Sequence, residues 1–168
     1  MVEEPHQKDD SHARAGMTLA LARTIDERAN HCFGCGEKNP EGLKLKFVVD
    51  ASNPEAITAT ARVTLTRLHE GPPGHVHGGI IATLLDEAMS KLNRPLNLLA
   101  MTRNLSVDYL KPTPLFCSLK LVAKHANREG RKVRHTADLM LEDGTVLAHG
   151  EGFFLAIDPD LIEKAMLR

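Results

Sequence analysis

The sequence has no tryptophan and only one tyrosine among its 168 residues. Proteins that bind single-stranded nucleic acids usually stack the bases on several aromatic side chains. Neither sign of charge is in excess, because 21 lysine and arginine residues stand against 22 aspartate and glutamate residues. Without an overall basic field to attract a polyanion, we expect neither nucleic acid nor a membrane surface as a partner. An anionic ligand would have to meet a local cluster of cations.

Long apolar runs are lacking too, and none approaches the roughly eighteen residues that a membrane-spanning helix needs. The first ten residues, MVEEPHQKDD, contain no apolar core of a secretory signal. Cysteine is scarce and odd in number, with only Cys32, Cys35 and Cys117, which does not fit the disulfide framework of a small secreted protein. We therefore predict a cytoplasmic protein with reduced thiols.

Two of the cysteines lie close together in the segment HCFGCG. Cys32 and Cys35, with His31 beside them, have the spacing of half a zinc site. No second close pair of ligands follows in the sequence, so we assign no metal. We interpret the two cysteines as small apolar side chains packed in a turn.

The chain divides into a polar tail and one domain. Residues 1–16 contain almost nothing apolar and predict a disordered N-terminal tail. Residues 17–168 are long enough to bury one core, and neither a repeat nor a linker divides them. We expect two short helices near the ends of this domain, over residues 18–29 and 158–168.

The regular structure in between is predicted from apolar periodicity. Strands are expected where apolar residues alternate: from residue 43 onward, over 57–65, over 101–112, over 118–125, and in a hairpin over 131–157 that turns at Asp143-Gly144. Apolar residues at helical intervals predict one long core helix over 79–92. One helix among mostly antiparallel strands predicts an α+β fold, with the helix packed on a single curved sheet.

A glycine- and proline-rich loop, GPPGHVHGG, leads directly into the core helix. Proline fixes the shape of such a loop, and glycine lets a ligand approach the backbone closely. The unpaired amides at the start of the helix, over residues 78–80, could stabilise negative charge on a substrate oxygen. The same composition also fits a tight connection without a chemical role, so the pattern leaves both interpretations open.

Asp86 is the candidate carboxylate of the core helix. Helical geometry puts it about 150° from the centre of the apolar stripe, so it should face away from the sheet. Ala82, Thr83 and Ser90 share its side and are small or polar, which leaves space for a ligand or for another subunit. A solvated helix carboxylate is the alternative.

The strand after the helix carries a run of alternating polar residues. Thr102, Asn104, Ser106 and Asp108 should share one face of this strand. That face either meets water or meets the Asp86 side of a helix in a partner subunit, and the spacing does not choose between them.

Two of these segments together carry a family resemblance. GPPGHVHGGIIATLLDEA and, sixteen residues after Asp86, Thr102 in MTRNLSVDYLKPTP resemble the hotdog-fold acyl-CoA thioesterases of the phenylacetate-pathway (PaaI-like) type. HCFGCG with the following NP.GL, and EGRK at 129–132, resemble the group that includes the mammalian carboxy-terminal modulator protein. The resemblance spans roughly residues 31–157. It implies a hotdog fold, in which an antiparallel curved sheet wraps around a long central helix.

The resemblance also implies an activity and a site. It implies hydrolysis of an acyl-CoA thioester between the subunits of a homodimer, or of a homotetramer of two dimers. Asp86 matches the catalytic carboxylate, which acts as general base or nucleophile, and Gly79 matches the residue whose amide polarises the thioester carbonyl. His77 matches the histidine of the HGG motif and should order the loop. Thr102 matches a hydroxyl that the other subunit contributes.

Contacts to coenzyme A are implied on the following strand and hairpin, at Asp108, Lys111, Arg131 and Lys132. No cofactor is expected, because coenzyme A is part of the substrate. Two other functions fit the same residues. A hotdog hydratase or dehydratase would use His77 and Asp86 for proton transfer at carbon, and a catalytically silent protein would only bind acyl-CoA or a protein partner.

Overall fold

The computed structural model describes residues 31–157. The predicted tail and both predicted terminal helices lie outside these residues, so the division of the chain at residue 17 stays a prediction. Within the described part, no helix is both long and apolar enough to cross a membrane.

Six strands and one long helix make up the described part of the chain. In chain order they are β1 (Val48–Asp50), β2 (Thr58–Thr64), α1 (Gly78–Ser90), β3 (Ala100–Tyr109), β4 (Ser118–Glu129), β5 (Lys132–Leu141) and β6 (Val146–Ala156). The strands form one sheet in the order β1-β2-β4-β5-β6-β3, and all neighbours are antiparallel. The predicted α+β architecture with one helix on one sheet is confirmed.

The core lies between α1 and the concave face of the sheet. Leu84, Leu85 and Met89 of α1 are fully buried, as the apolar periodicity predicts. Gly152 on β6 lets the helix come close, because a Cβ at this position would lie 3.0 Å from the sulfur of Met89. Packing of this kind holds α1 firmly, so the side chains on its other flank have fixed positions.

Strand β2 follows its predicted alternation, and β1 does not. Ile57, Ala59 and Ala61 are buried, which confirms the first of these predictions. The prediction of a strand from residue 43 is wrong, because β1 begins only at Val48. The amides of the preceding residues, including that of Leu45, instead donate hydrogen bonds to carbonyls of the cysteine-containing loop.

The β5–β6 hairpin turns at the predicted dipeptide. Gly144 has a φ of 88°, a conformation that glycine adopts readily. The Asp143 carboxylate accepts a hydrogen bond from the amide of Thr145 at 2.8 Å. Gly144 therefore supplies the positive φ of this turn, and Asp143 accepts a backbone hydrogen bond within it.

Strand β3 lies at one edge of the sheet and contains a bulge. It pairs only with β6 among the described strands, so its second edge has no strand partner there. Thr102 lies opposite Phe154, but Asn104 lies opposite Phe153, and the register shifts at the residue between them. Phe154 is buried on the helix side. Thr102 therefore faces the helix, whereas Asn104 faces the outside of the sheet.

The bulge corrects the prediction that Thr102 shares a face with Asn104, Ser106 and Asp108. Strict alternation assumes one residue opposite each partner residue, and a bulge inserts an extra residue into one strand. Arg103 is that extra residue. The threonine on which the site prediction depends is consequently turned towards α1.

Candidate active site

The first turn of α1 is organised by His77. This residue is the N-cap, with φ −62° and ψ 136°, and its Nδ1 atom accepts a hydrogen bond from the amide of Gly79 at 2.9 Å. Its carbonyl accepts the amides of Ile80 and Ile81. The predicted role of His77 in ordering the loop agrees with this geometry.

The amides of Gly78 and Gly79 differ in availability. Gly79 was predicted to supply the amide that polarises a carbonyl, but its N–H already donates to the ring of His77. The N–H of Gly78 has no hydrogen-bond partner among residues 31–157. It lies at the positive end of the helix dipole, where an oxyanion is stabilised. Gly78 is therefore the better placed donor.

Tyr109 of β3 braces this first turn. Its hydroxyl donates to the Gly78 carbonyl at 3.0 Å, and its ring lies about 3.5 Å from where a Cβ of Gly78 would be. Sequence reasoning missed this contact, because 31 residues separate Tyr109 from Gly78. The tyrosine therefore holds the peptide unit between Gly78 and Gly79, and it makes no contact with the Gly78 N–H, which belongs to the preceding peptide unit.

The candidate carboxylate meets the candidate hydroxyl within one chain. The Thr102 hydroxyl donates a hydrogen bond of 2.7 Å to Oδ1 of Asp86. The family resemblance implies that the other subunit contributes Thr102, whereas this contact with Asp86 is made within one chain. The β3 bulge accounts for the difference, because it turns Thr102 towards the helix of its own chain.

Asp86 is half-buried at this position, on the flank of α1 that faces β3. Burial raises the pKa of Asp86 above its usual range, and the negative charge of Glu87 raises it further. The hydrogen bond from Thr102 opposes both effects, because it stabilises the charged form. A carboxylate with a raised pKa is a stronger base once it is ionised, which suits a general base.

The free amide and the carboxylate are too far apart to act on one carbonyl group within a chain. Gly78 and Asp86 are eight residues apart on the same helix, which is about 12 Å along its axis. An amide that contacts a carbonyl oxygen must lie within about 3 Å of it, and a base acts through at most one water molecule. The Gly78 amide and the Asp86 carboxylate of one chain are therefore not placed to act together on one carbonyl group.

The four predicted coenzyme A contacts also divide into two groups. The amide of Lys111 donates to the Leu147 carbonyl near the start of β6, whereas the carbonyl of Arg131 accepts the amide of Ala156 at the end of β6. These two points are nine residues apart along the strand, or about 30 Å.

Asp108 lies near the Lys111 end, opposite His149, and Lys132 begins β5 beside Arg131. Arg131 also donates from Nε to the Ala156 carbonyl at 2.9 Å. A single chain does not bring the four residues together.

A second polar cluster connects the cysteine-containing loop to α1. The Lys91 ammonium lies 2.6 Å from Oε1 of Glu87 and 3.0 Å from Sγ of Cys35. Sγ of Cys32 lies 3.8 Å from Oε2 of Glu87. Burial and the nearby carboxylate raise the pKa of the Cys35 thiol to about 12. Sequence reasoning missed this cluster, since 55 residues separate Cys32 from Glu87.

The end of α1 is linked to the sheet by buried polar groups. Nε2 of His135 lies 3.1 Å from Oδ1 of Asn93, and its Nδ1 lies 3.2 Å from Nδ1 of His125. Burial lowers the pKa of His135 to about 3, with a smaller contribution from the charge of His125. His135 is therefore uncharged near neutral pH, and it serves as a packed hydrogen-bonding residue.

Comparison with solved structures defines the class of this fold. A thioesterase-superfamily protein superposes with a TM-score of 0.69 at 28% identity, over 90% of this chain and 86% of its own. The E. coli PaaI protein from the phenylacetic acid degradation operon superposes with a TM-score of 0.63 at 15% identity, over 86% of this chain and 96% of its own. The described part of the chain has the hotdog fold.

Sequence comparison finds similarity to one superfamily over part of this chain. Residues 73–148 match the family model of the thioesterase superfamily. The acyl-coenzyme A thioesterase THEM4 of Xenopus laevis is 41% identical over 88 residues, which are 52% of this chain and 39% of that protein. This chain thus spans well under half the length of that curated relative.

Proposed function

We propose that this protein hydrolyses acyl-coenzyme A thioesters to a free acid and coenzyme A. The observation that carries the proposal is the hydrogen-bonded pair of Thr102 and Asp86, a half-buried carboxylate with a raised pKa. Relatives named acyl-coenzyme A thioesterases support the choice of substrate. The reaction needs no resident cofactor, since coenzyme A belongs to the substrate.

The proposed site combines two subunits, because the Gly78 amide and the Asp86 carboxylate are about 12 Å apart within one chain. The Gly78 amide of one subunit donates to the thioester oxygen and stabilises the negative charge that develops there. Asp86 of the partner subunit takes a proton from water or attacks the carbonyl carbon directly. When water attacks, the carbon–sulfur bond breaks to give the free acid, and the coenzyme A thiolate leaves as its thiol by taking the proton held on Asp86. When Asp86 attacks, the same bond breaks to give a mixed anhydride, which water then hydrolyses to the free acid and the Asp86 carboxylate, and the proton released from that water leaves coenzyme A as its thiol.

The free edge of β3 supports a homodimer. It is ten residues long and has no strand partner within residues 31–157, and such an edge favours pairing with another strand. Antiparallel pairing of two β3 strands about a two-fold axis would place the Tyr109 end of one beside the Thr102 end of the other. Gly78 of one subunit would then approach Asp86 of its partner.

The same pairing would reunite the predicted coenzyme A contacts. Lys111 and Asp108 of one subunit would lie at the same end of the joined sheet as Arg131 and Lys132 of its partner. Lys111 of one subunit and the Arg131–Lys132 pair of its partner could then meet the phosphates of one coenzyme A molecule. A tetramer of two such dimers is compatible with this arrangement. We propose the cytoplasm as the compartment, because all three cysteines are free.

Complementation between two inactive chains tests the shared site. Asp86→Asn removes the carboxylate and Gly78→Pro removes the amide hydrogen, and each variant should be inactive as a homodimer. When both chains are co-expressed with different tags, each mixed dimer has one intact site. We expect roughly a quarter of wild-type activity for random pairing. The measurement is thiol release from an acyl-CoA panel, with light scattering to establish the assembly.

Failure of complementation would have a clear meaning. If purified mixed dimers remain as inactive as the parents, the amide and the carboxylate do not act across the interface. A wild-type protein that binds acyl-CoA without releasing thiol would favour the catalytically silent alternative. A product carrying added water at carbon, with no thiol released, would favour the hydratase.

The hydrogen bond from Thr102 predicts a shift in the pH profile. Thr102→Val removes the donor that stabilises charged Asp86, so the pKa of Asp86 should rise above its wild-type value. Since the ionised form is required, the acid limb of kcat/KM should move to higher pH. Thr102→Ser retains the hydroxyl and serves as the control. An unchanged acid limb in Thr102→Val would show that this hydroxyl does not act on the reacting carboxylate.

A further inference from the structure

The cysteine-containing loop presents three ligand-type atoms at one point on α1. Sγ of Cys32, Sγ of Cys35 and a carboxylate oxygen of Glu87 all lie within 4.8 Å of one another. The two cysteines lie in one tight turn, closed by a hydrogen bond of 2.9 Å from the Gly36 amide to the Cys32 carbonyl. This turn directs both sulfur atoms towards the helix, where Glu87 provides the third ligand.

The loop packs closely against the Glu87 side chain of α1. Gly34, between the two cysteines, packs on Glu87 so closely that a Cβ there would lie 2.5 Å from Oε2. The loop is also tied to the chain that follows it, because the amides of Leu43 and Leu45 donate to the carbonyls of Phe33 and Gly34. The three ligand residues are thus brought together by the backbone before any ion binds.

We propose that Cys32, Cys35 and Glu87 form a binding site for a thiophilic divalent cation of the zinc class. Two sulfur ligands with one carboxylate oxygen match the ligand types and number that zinc accepts when its fourth position is occupied by water. Thiolate ligands exclude magnesium and calcium, which prefer oxygen. Spacing within the sequence indicates only half of this site, and the third ligand is seen only in the folded chain.

Lys91 completes the charge balance of the site. Two thiolates and a carboxylate carry three negative charges, a divalent cation supplies two positive charges, and the Lys91 ammonium supplies the third. Its Nζ atom already lies beside both Cys35 and Glu87. In the metal-bound protein it would donate to ligand atoms from outside the coordination sphere, as groups around bound metals commonly do. The ring of Phe47 lies 5.8 Å from the same ammonium and covers one side.

Metal titration of the full chain tests the proposal. Protein reduced and stripped with a chelator is incubated with zinc chloride, desalted and assayed for metal by mass spectrometry. We expect one zinc ion per chain and a rise in Tm. Cobalt(II) in place of zinc should give tetrahedral d–d bands and a thiolate-to-cobalt charge-transfer band in the near ultraviolet.

Single substitutions identify the ligands. Cys32→Ser, Cys35→Ser and Glu87→Gln should each weaken zinc binding by at least on the order of 100-fold, since even residues around the ligands contribute up to that factor. Cys117→Ser is the matched control, because Cys117 hydrogen-bonds to the Pro114 carbonyl, outside the cluster. It should retain both the zinc and the cobalt spectrum. Circular dichroism of the metal-free variants establishes that each is folded.

Three results would overturn the site. They are failure of the wild-type chain to retain zinc, equal retention by Cys35→Ser and Cys117→Ser, and a cobalt spectrum without the thiolate charge-transfer band. None of these measurements uses thioesterase activity. They can therefore refute the metal site without refuting the proposed function, and the activity measurements can refute the proposed function without refuting the metal site.

Discussion

Asp86→Asn should reduce kcat for acyl-CoA hydrolysis by at least on the order of 10²-fold, the lower end of what a positioned proton-transfer group contributes. The amide is nearly the same size as the carboxylate and can still accept the hydrogen bond from Thr102. It can neither take a proton from water nor attack a carbonyl. Folding should be almost unaffected, because the desolvation that raises the pKa of Asp86 penalises the charged carboxylate more than the neutral amide.

Asp138→Asn is the matched control for this substitution. Asp138 is also a partly buried aspartate, but it lies on β5, where its Oδ1 contacts Nδ1 of His149 at 2.7 Å. The same chemical change there should leave kcat close to the wild-type value. Thiol release at saturating acyl-CoA gives both numbers. Near-normal turnover by Asp86→Asn would mean that the reacting carboxylate has to be sought elsewhere.

Gly78→Pro should reduce kcat by about 10² to 10³-fold, the usual cost of removing one oxyanion donor. Gly78 is the first residue of α1, where proline is favoured because its N–H would be unpaired within the helix. The preceding residue, His77, already has the extended backbone that proline requires of its neighbour. The substitution should therefore delete one amide hydrogen and leave the helix in place.

Gly78→Ala is the control for the added side chain. It introduces a Cβ at an ordinary contact distance of about 3.5 Å from the Tyr109 ring and retains the amide hydrogen. Its loss of kcat should be much smaller than that of the proline variant. Equal losses in the two variants would assign the effect to crowding at Tyr109, and the Gly78 amide would then have no role in the reaction.

The fold was predictable because its main elements obey simple periodicities. The apolar stripe of α1 is continuous, with Leu84, Leu85, Ala88 and Met89 all buried. Apolar residues that keep helical spacing over a whole segment predict a helix even where a single position departs from the pattern. The position of β1 was not predictable. Leu43 and Leu45 alternate as strand residues do, but their amides bond to a loop, and that choice depends on a long-range contact.

The candidate site was predictable in its residues and not in its geometry. Asp86 and Thr102 could be identified from their motifs, whereas the side of β3 that Thr102 occupies depends on the bulge. The two glycines of HGG are the same residue type, so the sequence does not distinguish them. Only the N-cap geometry shows that the Gly79 amide is bonded to His77 and that the Gly78 amide is not. Glu87 could not be associated with the cysteines, because sequence spacing carries no information on contacts between distant segments.

The bulge at Arg103 has a consequence for how β3 can vary in length. Thr102 and Asn104 lie opposite the consecutive residues Phe154 and Phe153, so deleting Arg103 would restore strict alternation and leave every other pair of this ladder in place. Tyr109 should then keep its contact with Gly78, and Thr102 should keep its contact with Asp86. A residue without a partner in the ladder can therefore be lost at this point without moving either contact along the helix.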